Sequence, residues 1–381
     1  MAVYSFEWRR YRRLFRQPLR THHGSWSERE GIIVRLQHDN QQMGWGEIAP
    51  ISWFSSETID QALEFCQSLK GQITEEQIAE IPNQLPACQF GLESALETLK
   101  CGAIDTALRL NLPCSVLLSP EAVLADETNL EQGEESYISS LNPLMLENFE
   151  IQNERLGSFQ PWGARGRASQ RGKHSSRILS EFGEPELTFK CKIGVQAIDR
   201  EMAQLDRLLK VLPKQAKLRL DANGGLSETE AYRWLEWCDC HSQNPPQIEL
   251  IEQPLSPDQF EQMQQLNQQF HTPIGLDESV ATIDQLQDCY RQGWRGIFVI
   301  KPAIAGSPSR LRQFCQEYQP DVIWSSALET TIGRRYIEDF LIPSTQLTKR
   351  AIGFGVDQWF ADEWGKQEAD LLWRDLAEVG S

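Results

Sequence analysis

Along the second half of the chain, short apolar runs alternate with amphipathic stretches. "LTFKCKI" (187–193), "AKLRLDAN" (216–223), "IELIEQP" (248–254), "PIGLDES" (273–279), "GIFVIKP" (296–302), "DVIWSSAL" (321–328) and "AIGFGV" (351–356) each read as a strand. Between them, residues 197–212, 227–239, 256–269, 282–292, 306–317 and 331–341 carry apolar positions at helical spacing. Strand and helix in regular alternation, without hairpin signals, predict a parallel sheet covered by helices. Seven such strands are visible, and one more upstream completes a (β/α)8-type barrel. Either "PCSVLL" (113–118) or "SYISSL" (136–141) could supply it. An open doubly wound sheet is the competing architecture. It would carry a glycine-rich phosphate loop after its first strand, and the sequence has none.

The first hundred residues follow a different pattern. "GIIVRLQ" (31–37) and "MGWGEIAPI" (43–51) flank the turn-rich "HDNQQ", a hairpin signal. "SSETIDQALEFCQSL" (55–69) opens on a serine cap and continues at helical spacing, and "FGLESALETLKCGAIDTALRL" (90–110) is a longer helix of the same kind. Residues 1–110 are therefore an α+β unit, and 111–357 are the barrel. Residues 119–185 fit neither pattern. Much of 150–178 is polar and glycine-rich and reads as a surface insertion.

Composition narrows the class of partner. The chain has 381 residues, 40% hydrophobic and 24% charged, enough to bury a sizeable core. Its net charge of −17 argues against nucleic acid or an anionic membrane, both of which need a basic footprint. The basic N-terminus, "MAVYSFEWRRYRRLFRQPLR", lacks the apolar run of a signal peptide and reads as a strand with a polar face, with a targeting arm as the minor alternative. No stretch approaches the ~20 apolar residues of a membrane span. Nine cysteines without a C-x-x-C pair suit a reducing, cytoplasmic setting. "CDCH" (Cys238, Cys240, His241) follows a helical stretch and reads as a helix end, since no second ligand pair lies nearby. The six histidines sit in no H-E-x-x-H or nucleophile-elbow context, so a histidine mechanism is not expected.

The unusual polar residues fall on the barrel strands. Lys190 and Lys192 are two apart on one strand and share a face, while Cys191 points the other way with Phe189 and Ile193. Asp221, Glu252, Asp277 and Lys301 each end a successive strand. In a barrel, those ends converge on the mouth where chemistry occurs. Taken singly, Asp221 could cap the turn "DANGG", Glu252 could face water and Asp277 could cap a helix. Together they place three carboxylates in one small mouth, which repel unless a cation lies among them. An all-oxygen donor set selects a hard ion, Mg²⁺ first and Mn²⁺ as the alternative.

The order K-x-K, D-A-N, E-Q-P, D-E-S and a strand-end lysine resembles the enolase superfamily in its muconate-lactonizing subgroup. The resemblance spans most of the chain. It implies an N-terminal capping domain over the barrel and a tail, 358–381, that returns to the cap. It also implies a small carboxylate substrate, whose neighbouring carbon loses a proton to a neutral lysine to give an enediolate. On this resemblance Lys192 is the base. Lys190 favours the neutral form of Lys192 and contacts the carboxylate, and Lys301 is a cation on the opposite side. "WSSALETTIG" (324–333), with Ser325 and Ser326, and "FRQPLRTHHGSWSEREGIIVRL" (15–36) resemble the corresponding segments of o-succinylbenzoate synthases, particularly cyanobacterial ones. The implied reaction is dehydration of 2-succinyl-6-hydroxy-2,4-cyclohexadiene-1-carboxylate, with Asn223, Ser325, Ser326, His23 and Gly24 as substrate contacts. An N-acylamino acid racemase or dipeptide epimerase on the same scaffold is the alternative. Dipeptide epimerases hold a substrate amine with an acidic pair after the last strand. Here Asp357 and Asp362 lie five residues apart, which weakens that alternative.

Overall fold

The computed structural model describes residues 2–21, 24–38, 42–102, 112–118, 187–241 and 245–378. Its N-terminal part is an antiparallel sheet in the order β3-β2-β1-β4. β1 (Val3–Thr21) and β2 (Gly24–Gln37) form a long hairpin in which Phe6 lies opposite Leu36 and Trp8 opposite Val34. β3 (Met43–Ile48) and β4 (Gln72–Thr74) complete the sheet. Alternation puts Tyr4, Phe6, Ile32, Val34, Leu36 and Ile48 on one buried face, packed against helices α1 (Ile59–Ser68) and α2 (Pro86–Cys101). Capping starts the first of these: the Thr58 hydroxyl accepts from the Gln61 amide, and the Gln61 side chain accepts from Thr58. Pro86 opens the second, where its missing N–H is harmless. Close approach of β3 to α2 requires glycine, because a Cβ at Gly46 would stand 1.9 Å from the Gly91 carbonyl oxygen.

The apolar runs of the second half form an eight-stranded parallel sheet in the order β11-β10-β9-β8-β7-β6-β5-β12. The strands are β5 (Cys114–Leu117), β6 (Thr188–Lys192), β7 (Lys217–Asp221), β8 (Gln247–Glu252), β9 (Ile274–Leu276), β10 (Ile297–Ile300), β11 (Val322–Trp324) and β12 (Ile352–Gly355). A parallel bridge between Ser325 and Gly353 joins the two ends into a barrel. Of the two candidates for the first strand, 113–118 supplies it. The other, 136–141, and the insertion at 150–178 lie outside the described residues. The helix expected over 90–110 begins earlier, at Pro86, and is described to Cys101. The helix expected over 331–341 has a π-helical stretch at Ile337–Leu341, between α-helical turns at Thr331–Tyr336 and Ile342–Thr345.

Outward-facing strand residues such as Phe189, Leu218, Leu220, Phe298 and Trp324 share one core with helix residues such as Trp234, Leu286 and Phe314. Inside the barrel, Leu250, Ile297, Val299 and Ile323 form a small apolar layer. Beside it, Arg219 donates to Glu249 at 2.7 Å, and Arg350 links Glu249 (2.6 Å) to Asp321 (2.7 Å). Cys238, Cys240 and His241 lie on the helix Glu228–His241, where the His241 ring stacks on Trp237. All nine cysteines are free thiols, and among the described residues no helix is long and apolar enough to cross a membrane.

The cap sits on the barrel through buried polar groups. The Glu47 carboxylate, at the end of β3, accepts from the Tyr11 hydroxyl (2.6 Å), the Thr330 amide (2.9 Å) and the Gly333 amide (3.1 Å). Arg29 is fully buried and donates to the carbonyls of Pro50 (2.7 Å), Ala49 and, in the barrel, Ala327 (3.1 Å). The C-terminal helix Ala369–Glu378 covers the other face of the cap sheet, with Leu372, Trp373 and Leu376 against Tyr11 and Ile33. Replacing Glu47 by Ala leaves several buried donors without acceptors, each costing about 1–3 kcal/mol. We expect Glu47→Ala to lower the thermal midpoint by several degrees in calorimetry. An unchanged midpoint would show that the clamp contributes nothing to stability.

Candidate active site

Strand register builds the site. Lys192 lies beside Asp221 across β6 and β7, and Asp221 lies beside Glu252 across β7 and β8. The three thus form one row at the C-terminal ends of neighbouring strands. Asp277 follows β9 and Lys301 follows β10. In the ring order, β6 and β10 stand four strands apart, so Lys192 and Lys301 enter the mouth from opposite sides. Asp221, Glu252 and Asp277 are all buried.

Lysines lie against these carboxylates. The Lys190 ammonium is 3.0 Å from Asp221 and 2.7 Å from Glu252, and Lys192 is 3.7 Å from Asp221. Lys301 is paired with Asp277. Burial alone disfavours every charge here. It raises the Glu252 carboxyl to about 7, with the neighbouring Asp221 and Asp277 adding to the rise against the opposing pull of Lys190. Asp277 is likewise raised by burial against the pull of Lys301. For Asp221 the attraction of Lys190 and Lys192 outweighs burial, and its carboxyl is lowered. Lys190 is raised, because Asp221, Glu252 and Asp277 together overcome its desolvation. The donor set itself is all carboxylate oxygen and fits a hard divalent ion.

Two side chains that the motif reading did not assign to the mouth hold it in shape. Gln253, buried and in the left-handed region at φ 38°, follows Glu252. Its side-chain Oε1 accepts from the Asp277 amide (2.9 Å) and the Ser279 amide (3.2 Å), and its Nε2 donates to Ser279 Oγ (2.7 Å). Glu278 accepts from Asn223 Nδ2 at 3.2 Å. Asn223, also left-handed at φ 45°, receives a hydrogen bond from Lys192 through its side-chain oxygen and donates its own amide to Asp221 Oδ1 at 3.1 Å. It therefore holds Lys192 and Asp221. Asp277 makes no side-chain cap bond to the turn that follows it. Cys191 faces the apolar core, and burial pushes its thiol up to about 12.

The mouth opens into a cavity of about 860 Å³. Its floor and walls include the three lysines, the three carboxylates, Asn223, Ser325 and Ser326, and the cap adds Leu19, Trp26, Trp53 and Phe54. The Ser326 hydroxyl is buried and donates to Glu329 (3.0 Å), so it shapes the turn after β11. Ser325 lies on the cavity wall. His23 lies outside the described residues. Gly24 starts β2 and is not on the wall, whereas Ser25 and Trp26 are. Glu329 could be anticipated only from its spacing to Ser326; Gln253 gives no local signal beyond its place in "EQP".

Residues 187–322 match the family described as Enolase C-terminal domain-like, and residues 8–99 match the family described as MenC, N-terminal domain. The chain is 36% identical to the o-succinylbenzoate synthase of Thermosynechococcus vestitus over 356 residues, covering 93% of each protein. Its fold matches the crystal structure of o-succinylbenzoate synthase from Thermosynechococcus elongatus BP-1, solved with Mg in the active site, at a TM-score of 0.73 and 33% identity, covering 98% of this chain and 99% of that one. The L-Ala-D/L-Glu epimerase of Bacillus subtilis shares the fold at a TM-score of 0.67 and 20% identity, covering 95% of this chain and 92% of that one.

Saturating divalent cation should raise the thermal midpoint of the chain, since at about 100 times Kd binding adds about 2.7 kcal/mol. Asp221→Asn and Glu252→Gln should each lose most of that shift in differential scanning fluorimetry. Equal shifts in wild type and both variants would place the ion elsewhere.

Proposed function

The chain belongs to the o-succinylbenzoate synthase family of the enolase superfamily, and on that premise we propose that it dehydrates 2-succinyl-6-hydroxy-2,4-cyclohexadiene-1-carboxylate to 2-succinylbenzoate, a step toward menaquinone or phylloquinone. The observation that carries the proposal is the row Lys192–Asp221–Glu252 with Lys301 diametrically opposite, in a chain matched to the synthase over 93% of its length. The enzyme is a carbon–oxygen lyase. We read residues 1–110 as its cap, 111–357 as its barrel and 358–381 as a tail on the cap. Ala361 donating to the Leu14 carbonyl (2.9 Å) and Trp373 packing on the cap core support the last of these. Nine free thiols suit the cytoplasm, where we place it.

Asp221, Glu252 and Asp277 are the residues that would hold Mg²⁺, and Mn²⁺ suits the same oxygens. A bound ion there would supply positive charge to the substrate carboxylate. Lys192 removes the proton from the ring carbon next to that carboxylate. The carbon–hydrogen electron pair moves into the carboxylate, giving the enediolate. It then returns to form the new ring double bond as the carbon–hydroxyl bond breaks. The same Lys192 gives its proton to the departing hydroxyl, and water leaves. Asn223, bonded to Lys192, sets the direction of its Nζ. Lys301 keeps its proton and faces the developing charge from the other side. Lys190 adds fixed positive charge beside Asp221 and Glu252. Ser325 stands on the wall as a hydrogen-bonding group for the substrate, and Trp26 and Trp53 offer flat surfaces to its ring.

The acidic pair that would serve a dipeptide's amine is already committed. Asp357 is bonded by Arg334 (2.8 Å) and Asp362 by Arg13 (2.9 Å). This favours the dehydratase over a dipeptide epimerase. N-acylamino acid racemisation is the second reading, because Lys192 and Lys301 flank the mouth as a two-base reaction requires.

Loss of the cyclohexadiene's ultraviolet absorbance should require Mg²⁺, stop on chelation and fall by at least about 100-fold in Lys192→Ala. Loss of optical rotation from N-succinylamino acids with no diene consumption would replace the substrate assignment by the racemase. In that case removing Lys301 would block proton exchange on one face only.

A further inference from the structure

Beyond the more distant pull of the Glu278, Glu252 and Asp221 carboxylates, the Lys301 ammonium has two close contacts among the described residues. One is the Asp277 carboxylate. The other is the face of the Phe54 ring, whose centroid lies 4.2 Å from Nζ. Asp277 is also one of the three carboxylates that would hold the divalent ion. A carboxylate oxygen engaged by such an ion has less charge to offer an ammonium. The aromatic face keeps its full attraction under those conditions, because its negative potential comes from the ring quadrupole.

Phe54 is built to stay in place. It ends the 3₁₀ turn Ser52–Phe54, followed by Ser55 in the left-handed region at φ 67°. Its amide donates to the Ile51 carbonyl at 2.8 Å, and the Ile51 amide donates to Ser56 Oγ at 2.6 Å. The ring is buried, and although it comes from the cap it packs into the barrel's own core with Ile51 and Phe90. Trp53 meets it edge-on at 5.8 Å, Trp26 meets Trp53 at 5.6 Å, and Phe15 meets Trp26 at 5.4 Å. A continuous aromatic wall from the cap thus ends on the barrel's lysine.

We propose that Phe54 is a positioning residue for Lys301: its ring face fixes the ammonium toward the cavity, so that docking of the cap sets the direction of the charge opposite Lys192. The inference rests on the reading of Lys301 as the cationic partner of the reaction. It assigns to the cap a part in catalysis in addition to covering the substrate.

The test replaces Phe54 in the full chain by phenylalanines fluorinated at one, two and three ring positions, which keep the shape and weaken the negative face stepwise. Phe54→Leu and Phe54→Tyr complete the series. We expect kcat for diene dehydration to fall progressively with fluorination, by about 2- to 30-fold at the extreme given the usual strength of such contacts. KM should stay within about twofold, and Phe54→Tyr should retain kcat. A kcat indifferent to fluorination overturns the proposal, as does a change confined to KM, which would make the ring a substrate contact. A second readout needs no turnover. In protein labelled with [¹³Cε]-lysine, the Lys301 methylene protons, assigned by their loss in Lys301→Arg, should resonate upfield of the other lysines through the ring current and return in Phe54→Leu. No upfield shift in wild type overturns the placement. If the upfield shift is present but wild type consumes no diene, the substrate reading fails while the contact stands.

Discussion

The structure depends on keeping three carboxylates and three lysine side chains together in one buried place. Each charge alone would be strongly disfavoured there, and the pairing of Lys190 with Asp221 and Glu252 and of Lys301 with Asp277 makes the arrangement tolerable. The barrel provides the geometry, because a one-residue slip between β6, β7 and β8 would turn Lys192, Asp221 and Glu252 away from one another. Backbone strain accompanies it. Asn223 and Gln253, one or two residues beyond a ligand strand, both sit in the left-handed region without being glycine. Each compensates with side-chain bonds to the site, Asn223 to Lys192 and Gln253 to the amides of Asp277 and Ser279. Below them the chain Arg219–Glu249–Arg350–Asp321 places a second balanced charge network in the barrel.

That concentration of charge is useful only where water is limited, which gives the cap its purpose. Glu47 and Arg29 are buried groups whose bonds cross from cap to barrel, and each loses partners if the two separate. The long hairpin of β1 and β2 brings Leu19 and Trp26 over the mouth, and the 52–54 turn adds Trp53 and Phe54. These side chains are apolar, so closure lowers the local dielectric without adding a competing charge. Fixed ammonium groups then act on a developing anion more strongly than they would in water.

How much of this could be read from the sequence differs with the range of the interaction. The strand–helix alternation is local and periodic, so the barrel and its strand ends were legible, and with them Lys190, Lys192, Asp221, Glu252, Asp277 and Lys301. The first barrel strand was not decidable, because Cys114–Leu117 is only four residues long and a second short candidate, 136–141, follows it in the sequence. Ser325 and Ser326 looked equivalent in sequence. Both line the cavity, but the Ser326 hydroxyl is spent on Glu329, and only the fold shows that. Gly24 was chosen from loop position, but the long hairpin places its neighbours Ser25 and Trp26 on the wall instead. The Phe54–Lys301 contact joins two distant segments that follow no shared period, so no local pattern could have announced it.

The lysine pair that first marks the chain as unusual acquires two distinct tasks from one local difference. Lys190 and Lys192 share a face of β6, yet Lys190 stands one layer deeper, beside Arg219, and Lys192 stands level with Asp221. From the deeper layer Lys190 reaches both Asp221 and Glu252 and is locked as a cation. Lys192 keeps a longer contact to Asp221 and a neutral partner in Asn223. A base must be able to exchange its proton, and close contact with two buried carboxylates favours keeping it. The depth of each lysine on the strand therefore fits the proposed division between fixed charge and proton transfer. It supports the proposal that the second lysine of K-x-K, and not the first, is the base.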